Sequence, residues 1–155
     1  MPASSADAIT LHHVIEHVPD PIALLRECAR ILRPGGKLAV ATPNVESLGH
    51  RLFGRCWLAL DPPRHLHLFS MPALRACVRK AGLQVRSLRS TACASRSYYI
   101  FSHALRQGVA HLSPGYSPTH RVAYQSWAFL ALEEALRFLE GNAGEELILI
   151  ATHSG

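Results

Sequence analysis

Residues 7 to 44 constrain the fold more than any other part of the chain. There an apolar run, a capped helix and a second apolar run follow one another without slack. "DAITLHHV" (7–14) is rich in Ile, Thr, Leu and Val and predicts a buried strand. Asp20 is a good N-cap, and Pro21 takes the first helical position, where its missing N–H costs nothing. Ile22, Leu25, Ala29 and Leu32 then recur at helical spacing and form one apolar face. Pro34, Gly35 and Gly36 stop that helix. "KLAVATPN" (37–44) carries almost no charge, as a strand covered on both faces would. Strand, helix and strand in this order make an α/β fold.

Downstream signals are weaker but ordered. A short helix is expected over about 45–54, followed by the irregular stretch "CWLALDPPRHLHLF". Ser70 caps a helix carrying Leu74, Cys77, Val78 and Ala81, which Gly82 closes. "LQVRSLRS" alternates like a strand with one wet face. A helix over 97–108, a turn over 113–118 and a longer helix over 119–140 follow. The last of these is expected to bury a stripe of Phe129, Leu132, Leu136 and Leu139. "EELILIATH" (145–153) reads as a final apolar strand. No repeat or linker divides the chain, so residues 1–155 read as one domain with a helical insert at 95–140.

Hydrophobic residues make up 48% and charged residues 17%, which fits a compact chain and excludes a disordered one. No apolar run approaches the roughly 20 residues of a membrane helix, and the first residues lack a signal-peptide pattern, so a cytoplasmic location is expected. Cys28, Cys56, Cys77 and Cys93 show no metal spacing and read as buried free thiols. From Arg51 to Arg121 there are 11 basic residues against one acid, Asp61. The arginines fall singly and without interleaved aromatics, so the reading is a solvated face with no nucleic-acid partner.

One short motif has two readings. His13-Val14-Ile15-Glu16-His17 matches the H-x-x-E-H pattern of a zinc peptidase, whose histidines must lie one helical turn apart. The run before His13 is β-like, however, and Pro19 and Pro21 prevent a helix from continuing past His17. The peptidase reading is therefore the remote alternative. The residues instead fall at the carboxyl end of a strand and in its loop, where open α/β sheets bind ligands. The loop after the first strand and "TPN" (42–44) should line one crevice.

These stretches resemble the second half of a class I S-adenosylmethionine-dependent methyltransferase of the small-molecule branch. The resemblance rests on Asp7 opening a strand, the hydrophobic-Glu-His-hydrophobic turn at 15–18, the helix ending in Leu32-Arg33-Pro34-Gly35-Gly36, and Thr42-Pro43-Asn44. "DPPRHLHLFSMPALRACVRKAGLQV" (61–85) adds a Pro-Arg-His segment before a helix. The implied fold is a partial Rossmann-like sheet, family strands four to seven with the last antiparallel, flanked by helices. No G-x-G run exists and six residues precede Asp7. The resemblance therefore implies the C-terminal part of such a domain, without the main cofactor-binding motif.

What carries over is specific to positions. Leu11 and His12 match positions touching the methionine end of S-adenosyl-L-methionine. His13, Glu16, His17, Pro43 and Asn44 match the rim of the acceptor pocket, and Arg64 and His65 match a segment that closes over the acceptor. Transfer to a hydroxyl needs a base, and His13 or His65 is the expected one. Some ubiquinone-pathway O-methyltransferases hold a divalent ion in this loop, and His13, Glu16 and His17 would be the corresponding residues. The leading reading nevertheless assigns no metal. The expected partner is a small-molecule methyl acceptor, with neither nucleic acid nor membrane. Strand 7–13 would be an open edge, to be covered by a second copy, a partner chain, the N-terminal residues or the insert. The competing function is a non-catalytic remnant or subunit that pairs with another chain through that edge.

Overall fold

Asp20 starts the first helix as its position predicts. Its carboxylate accepts from the Ile22 and Ala23 amides at 3.0 and 2.9 Å, and Pro21 opens the helix. Such a cap is worth about 1 kcal/mol. In the computed structural model, which describes residues 1–109 and 116–153, this helix, α1 (Pro21–Ile31), links two parallel strands. They are β1 (Ala6–His12) and β2 (Leu32–Pro43). The chain continues through α2 (Leu48–Phe53), α3 (Met71–Lys80), β3 (Leu83–Thr91), α4 (Ser95–Arg106), α5 (His120–Glu140) and β4 (Glu146–His153). The turn expected over 113–118 falls partly outside the described residues.

The four strands form one sheet in the order β1-β2-β4-β3. β1 runs parallel to β2, and β4 is antiparallel to both its neighbours, as the resemblance implied for the last strand. Because β4 is reversed, its first residue lies at the carboxyl ends of the others. Glu146 stands opposite Pro43 on one side and Thr91 on the other. The core gathers between the sheet, α1 and α3, where Leu25, Leu32, Leu38, Leu74, Leu147 and Leu149 are fully buried. Each such side chain contributes about 1.5–3 kcal/mol relative to an exposed one. A smaller cluster of Phe53, Trp57, Ala59 and Tyr98 sits under α4.

Four expectations need correction. β1 is not a buried strand. It lies at the sheet edge, with Asp7, Ala8, Thr10 and His12 exposed and Leu11 alone fully in the core. Among the described residues nothing pairs with its outer edge. The cysteines are free, but only Cys28 is buried and Cys93 is exposed. The helices expected at 97–108 and 45–54 are Ser95–Arg106 and Leu48–Phe53. Finally, α5 buries Val122, Ser126, Phe129 and Glu133, while Leu132 and Leu139 are 52% and 76% exposed. Its contact with α4 selects that face: Arg96 Nε donates to Ser126 Oγ at 3.2 Å, and the Tyr99 and Phe129 rings lie 5.1 Å apart.

Burial of Glu133 beside Glu145 is the costly feature of this packing. Glu133 Oε1 accepts from the Glu145 amide at 2.7 Å, while among the described residues neither Glu133 Oε2 nor the Ser95 hydroxyl makes a hydrogen bond of good geometry. Glu145 in turn accepts from the Gly49 amide at 2.6 Å and from Trp57 Nε1 at 2.8 Å. A Cβ at Gly49 would collide with that carboxylate, so any other residue there would displace Glu145 from its bonds. Burial pushes both carboxyls up to about 7. A carboxyl held above its usual value stabilises the fold below its unfolded pKa, and the benefit is lost as pH rises through about 7. Glu133→Gln keeps the acceptor for the Glu145 amide and removes the titration. It should exceed the wild type in urea stability at about pH 8 by roughly 1–3 kcal/mol, and the gain should vanish towards about pH 5. An equal difference at both pH values would contradict this reading of Glu133.

Candidate functional site

The chain leaves β1 with an abrupt turn. His13 has a positive φ of 50°, its amide donates to Ala41 O at 3.0 Å, and Ile15–His17 make a single 3-10 turn. No helix runs through 13–17, so the histidines are not a helical turn apart. The motif instead folds inward over the ends of β1 and β2.

His13 joins three elements. Its Nδ1 donates to Glu16 Oε1 at 3.0 Å and its Nε2 to Glu146 Oε1 at 2.8 Å. Ionised carboxylates only accept, so the ring carries both protons and is an imidazolium. The bond to Glu146 first, and that to Glu16 second, raise its pKa from 6.5 to about 9 against the opposing effect of burial. Glu16 is buried, and its Oε2 accepts from Thr42 Oγ1 at 3.0 Å. Burial raises the Glu16 carboxyl most, but the bonds from His13, its own backbone and Thr42 together carry it below its ordinary value.

The segment after β2 returns to the same loop. The Leu66 and His67 amides donate to Glu16 O at 2.8 and 3.1 Å, and His17 Nδ1 donates to Arg64 O at 2.9 Å. The His17 and His65 rings lie 4.7 Å apart. His65 Nδ1 donates to Ala59 O at 2.7 Å, which leaves its Nε2 with a lone pair. Glu16, His17 and His65 each offer a ligand atom within 4.8 Å of the others, the one such metal-capable group among the described residues. Beside His65 opens a cavity of about 690 Å³, with Trp57, Leu60 and Tyr98 as its apolar wall and Arg55 and Arg64 at its polar side.

The expected residues do not all converge. His13, Glu16, His17, Arg64 and His65 come together at the carboxyl edge of the sheet. Arg64 is largely exposed and ion-paired with Asp61 at 2.7 Å. His12 lies exposed at the end of β1, its ring edge-on to His13 at 4.6 Å. Leu11 points into the core. Asn44 is fully buried, and its amide is spent on the Asn142 and Gly144 carbonyls at 2.6 and 2.7 Å. Pro43 is buried in the ladder opposite Glu146.

Sequence reasoning passed over Glu146, Glu145 and Trp57, and it placed Thr42 on the crevice without its bond to Glu16. Two consecutive glutamates opening an apolar strand were the available signal, because a carboxylate at a strand's buried end needs a partner. Replacing Glu146 with Gln should cost about 1–3 kcal/mol near neutral pH, since a charge-assisted bond is lost. A raised histidine pKa stabilises fully below 6.5 and is lost as pH rises through about 9. The penalty for Glu146→Gln in urea titrations should therefore shrink above that pH. A penalty independent of pH would contradict the imidazolium.

Comparison with known proteins gives the family and the fold. A family profile for methyltransferase domains matches residues 1–88. A ubiquinone biosynthesis O-methyltransferase from Xanthomonas axonopodis pv. citri is 41% identical over 92 residues, 56% of this chain and 38% of that protein. The chain thus matches well under half the length of such curated relatives. Among solved structures, the cyclase SpnF shares 22% identity with a TM-score of 0.59, covering 99% of this chain and 52% of that one. Haemonchus contortus phosphoethanolamine N-methyltransferase 2, solved with S-adenosyl-L-methionine, shares 12% identity with a TM-score of 0.56, covering 99% and 34%. At these identities the structural matches establish the fold.

Proposed function

This chain belongs to the methyltransferase-domain family, and from that premise we propose that it forms the acceptor-binding half of an S-adenosyl-L-methionine-dependent methyltransferase. The observation that carries the proposal is the convergence of Glu16, His17 and His65 beside an apolar cavity, at the carboxyl edge of a Rossmann-like sheet. Ligands of such sheets bind at that edge. The acceptor is a small molecule bearing a hydroxyl group, in keeping with the O-methyltransferases that the chain is similar to. Its apolar part lies against Trp57 and Tyr98.

The two histidines take different parts. His65, with Nδ1 committed to Ala59 O, offers Nε2 to receive the acceptor's hydroxyl proton. His13 has both nitrogens committed and positions Glu16, whose other oxygen is held by Thr42. His17 ties the 13–17 loop to the Arg64–His65 segment. Arg64 stands at the cavity's polar side.

S-adenosyl-L-methionine supplies the methyl group, as a carbon activated by a sulfonium. The residues present fit only one side of it. By the family resemblance Leu11 and His12 would hold its methionine end; Leu11 points into the core, which leaves His12 at the exposed end of β1, and the sequence holds no G-x-G turn. Among the described residues the outer edge of β1 is bare. A polypeptide strand paired along β1 would complete the cradle, and the open edge favours this pairing whether or not the assembly is catalytic. No helix among the described residues is long and apolar enough to cross a membrane, and a cytoplasmic setting suits a protein that uses this cofactor.

Titrating the labelled chain with S-adenosylhomocysteine tests the reading by amide and histidine NMR shifts. Millimolar-range binding, with shifts confined to His12, His13 and Glu16, is expected of one wall without the other. Shifts absent from this loop at millimolar ligand would contradict the cofactor placement.

A further inference from the structure

Helix α5 presents an apolar face that no other element among the described residues covers. Nine residues between Tyr124 and Leu139 are exposed: Tyr124, Trp127, Ala128, Ala131, Leu132, Glu134, Ala135, Phe138 and Leu139. Only Glu134 among them is charged. Tyr124 is 77% and Phe138 90% exposed. A surface helix of a folded protein normally turns charged residues outward, and monomers rarely expose so continuous a stripe.

The stripe is self-complementary. Ala131 lies at its middle, with Tyr124 seven residues before and Phe138 seven residues after. Trp127 and Ala135 stand four residues to either side. Two copies of the helix laid antiparallel with Ala131 on the twofold axis would therefore oppose Tyr124 to Phe138 and Trp127 to Ala135. Each Trp127 then meets the small Ala135, the two Ala131 residues let the helices approach at the axis, and Tyr124 and Phe138 pair as aromatics at either end. Trp127 is already oriented, because the Arg96 guanidinium sits over its ring, 3.7 Å from the centroid.

Charge points the same way. α5 opens with His120 and Arg121 and no acid in its first turn, whereas its exposed acids, Glu134 and Glu140, lie towards its end, Glu134 paired there with Arg137 and Glu140 with Arg51. An antiparallel copy brings the basic start of one helix beside the end of the other, so that Arg121 joins the Glu140–Arg51 pair at the rim of the stripe. The dipoles also run opposed.

We propose that this face of α5 is a homodimer interface, closed by a second copy of the chain in an isologous antiparallel pairing centred on Ala131. It lies on the insert, apart from the β1 edge, so the two pairings are independent.

Light scattering with an oxidative cross-linking series tests this. The wild-type chain should show twice its monomer mass at micromolar concentration. Ala131→Glu places two carboxylates on the axis and should return a single-chain mass, with the far-ultraviolet circular dichroism unchanged. In a Cys93→Ser background, Ala131→Cys should cross-link to itself under mild oxidation. Ala128→Cys, whose register mate is Glu134, should not. A wild-type chain of single mass would overturn the proposal and leave the face to a different partner. A dimer that survives Ala131→Glu, or that cross-links equally through position 128, would overturn it as well.

Discussion

Everything at the carboxyl edge of this sheet hangs on one imidazolium. His13 sits between two carboxylates that the chain brings from opposite ends, Glu16 at 3.0 Å and Glu146 at 2.8 Å. Without a positive charge between them, two buried glutamates on adjacent elements would repel in a poorly solvated setting. With it, the 13–17 turn is tied to the first residue of β4, and the left-handed backbone of His13 is held in place. Thr42 then fixes the second oxygen of Glu16, and the Glu16 carbonyl receives the amides of Leu66 and His67. One charged ring thereby determines where the His65 segment stops, and so where the cavity opens.

Reversal of β4 makes this possible. A parallel last strand would end at this edge with Thr152 and His153, and the carboxylates would lie at the far side. Because β4 is antiparallel, Glu145 and Glu146 arrive together, one aimed at each layer. Glu146 closes on His13, whereas Glu145 takes the Gly49 amide and the Trp57 indole and so supports the cavity wall. The same edge carries Glu133, one of whose oxygens lacks a well-formed hydrogen bond among the described residues. Stability is conceded where the polar groups of the site are concentrated, as functional sites commonly require.

Local signals in the chain were reliable where physics is local. The Asp20-Pro21 cap, the Ser70 cap, the apolar rhythm of α1 and the apolar run 38–43 gave their elements without tertiary information, but α1 already ends at Ile31, and Leu32 with Pro34, Gly35 and Gly36 belongs to β2 rather than to the helix end. The convergence of His13, Glu16, His17, Arg64 and His65 also followed from strand ends and from family resemblance. What the sequence hid was set by topology. Glu146 lies 133 residues from His13, and no spacing rule links them. Asn44 looked like a pocket residue, yet its amide is consumed by two loop carbonyls, a role visible only once Asn142 and Gly144 are placed. Helix α5 misled for a third reason. Its leucines suggested a buried stripe, but α4 offers Arg96 and Tyr99, which select the face of Ser126 and Phe129 and turn the leucines outward.

Direct observation of the His13 ring by nitrogen NMR across a pH titration would test the central interaction most cleanly. Two protonated ring nitrogens through neutral pH, with deprotonation at about 9, are the expected result. A single-proton tautomer at neutral pH, titrating near the ordinary 6.5, would show that no imidazolium bridges the two glutamates. The organisation of the site would then need another foundation.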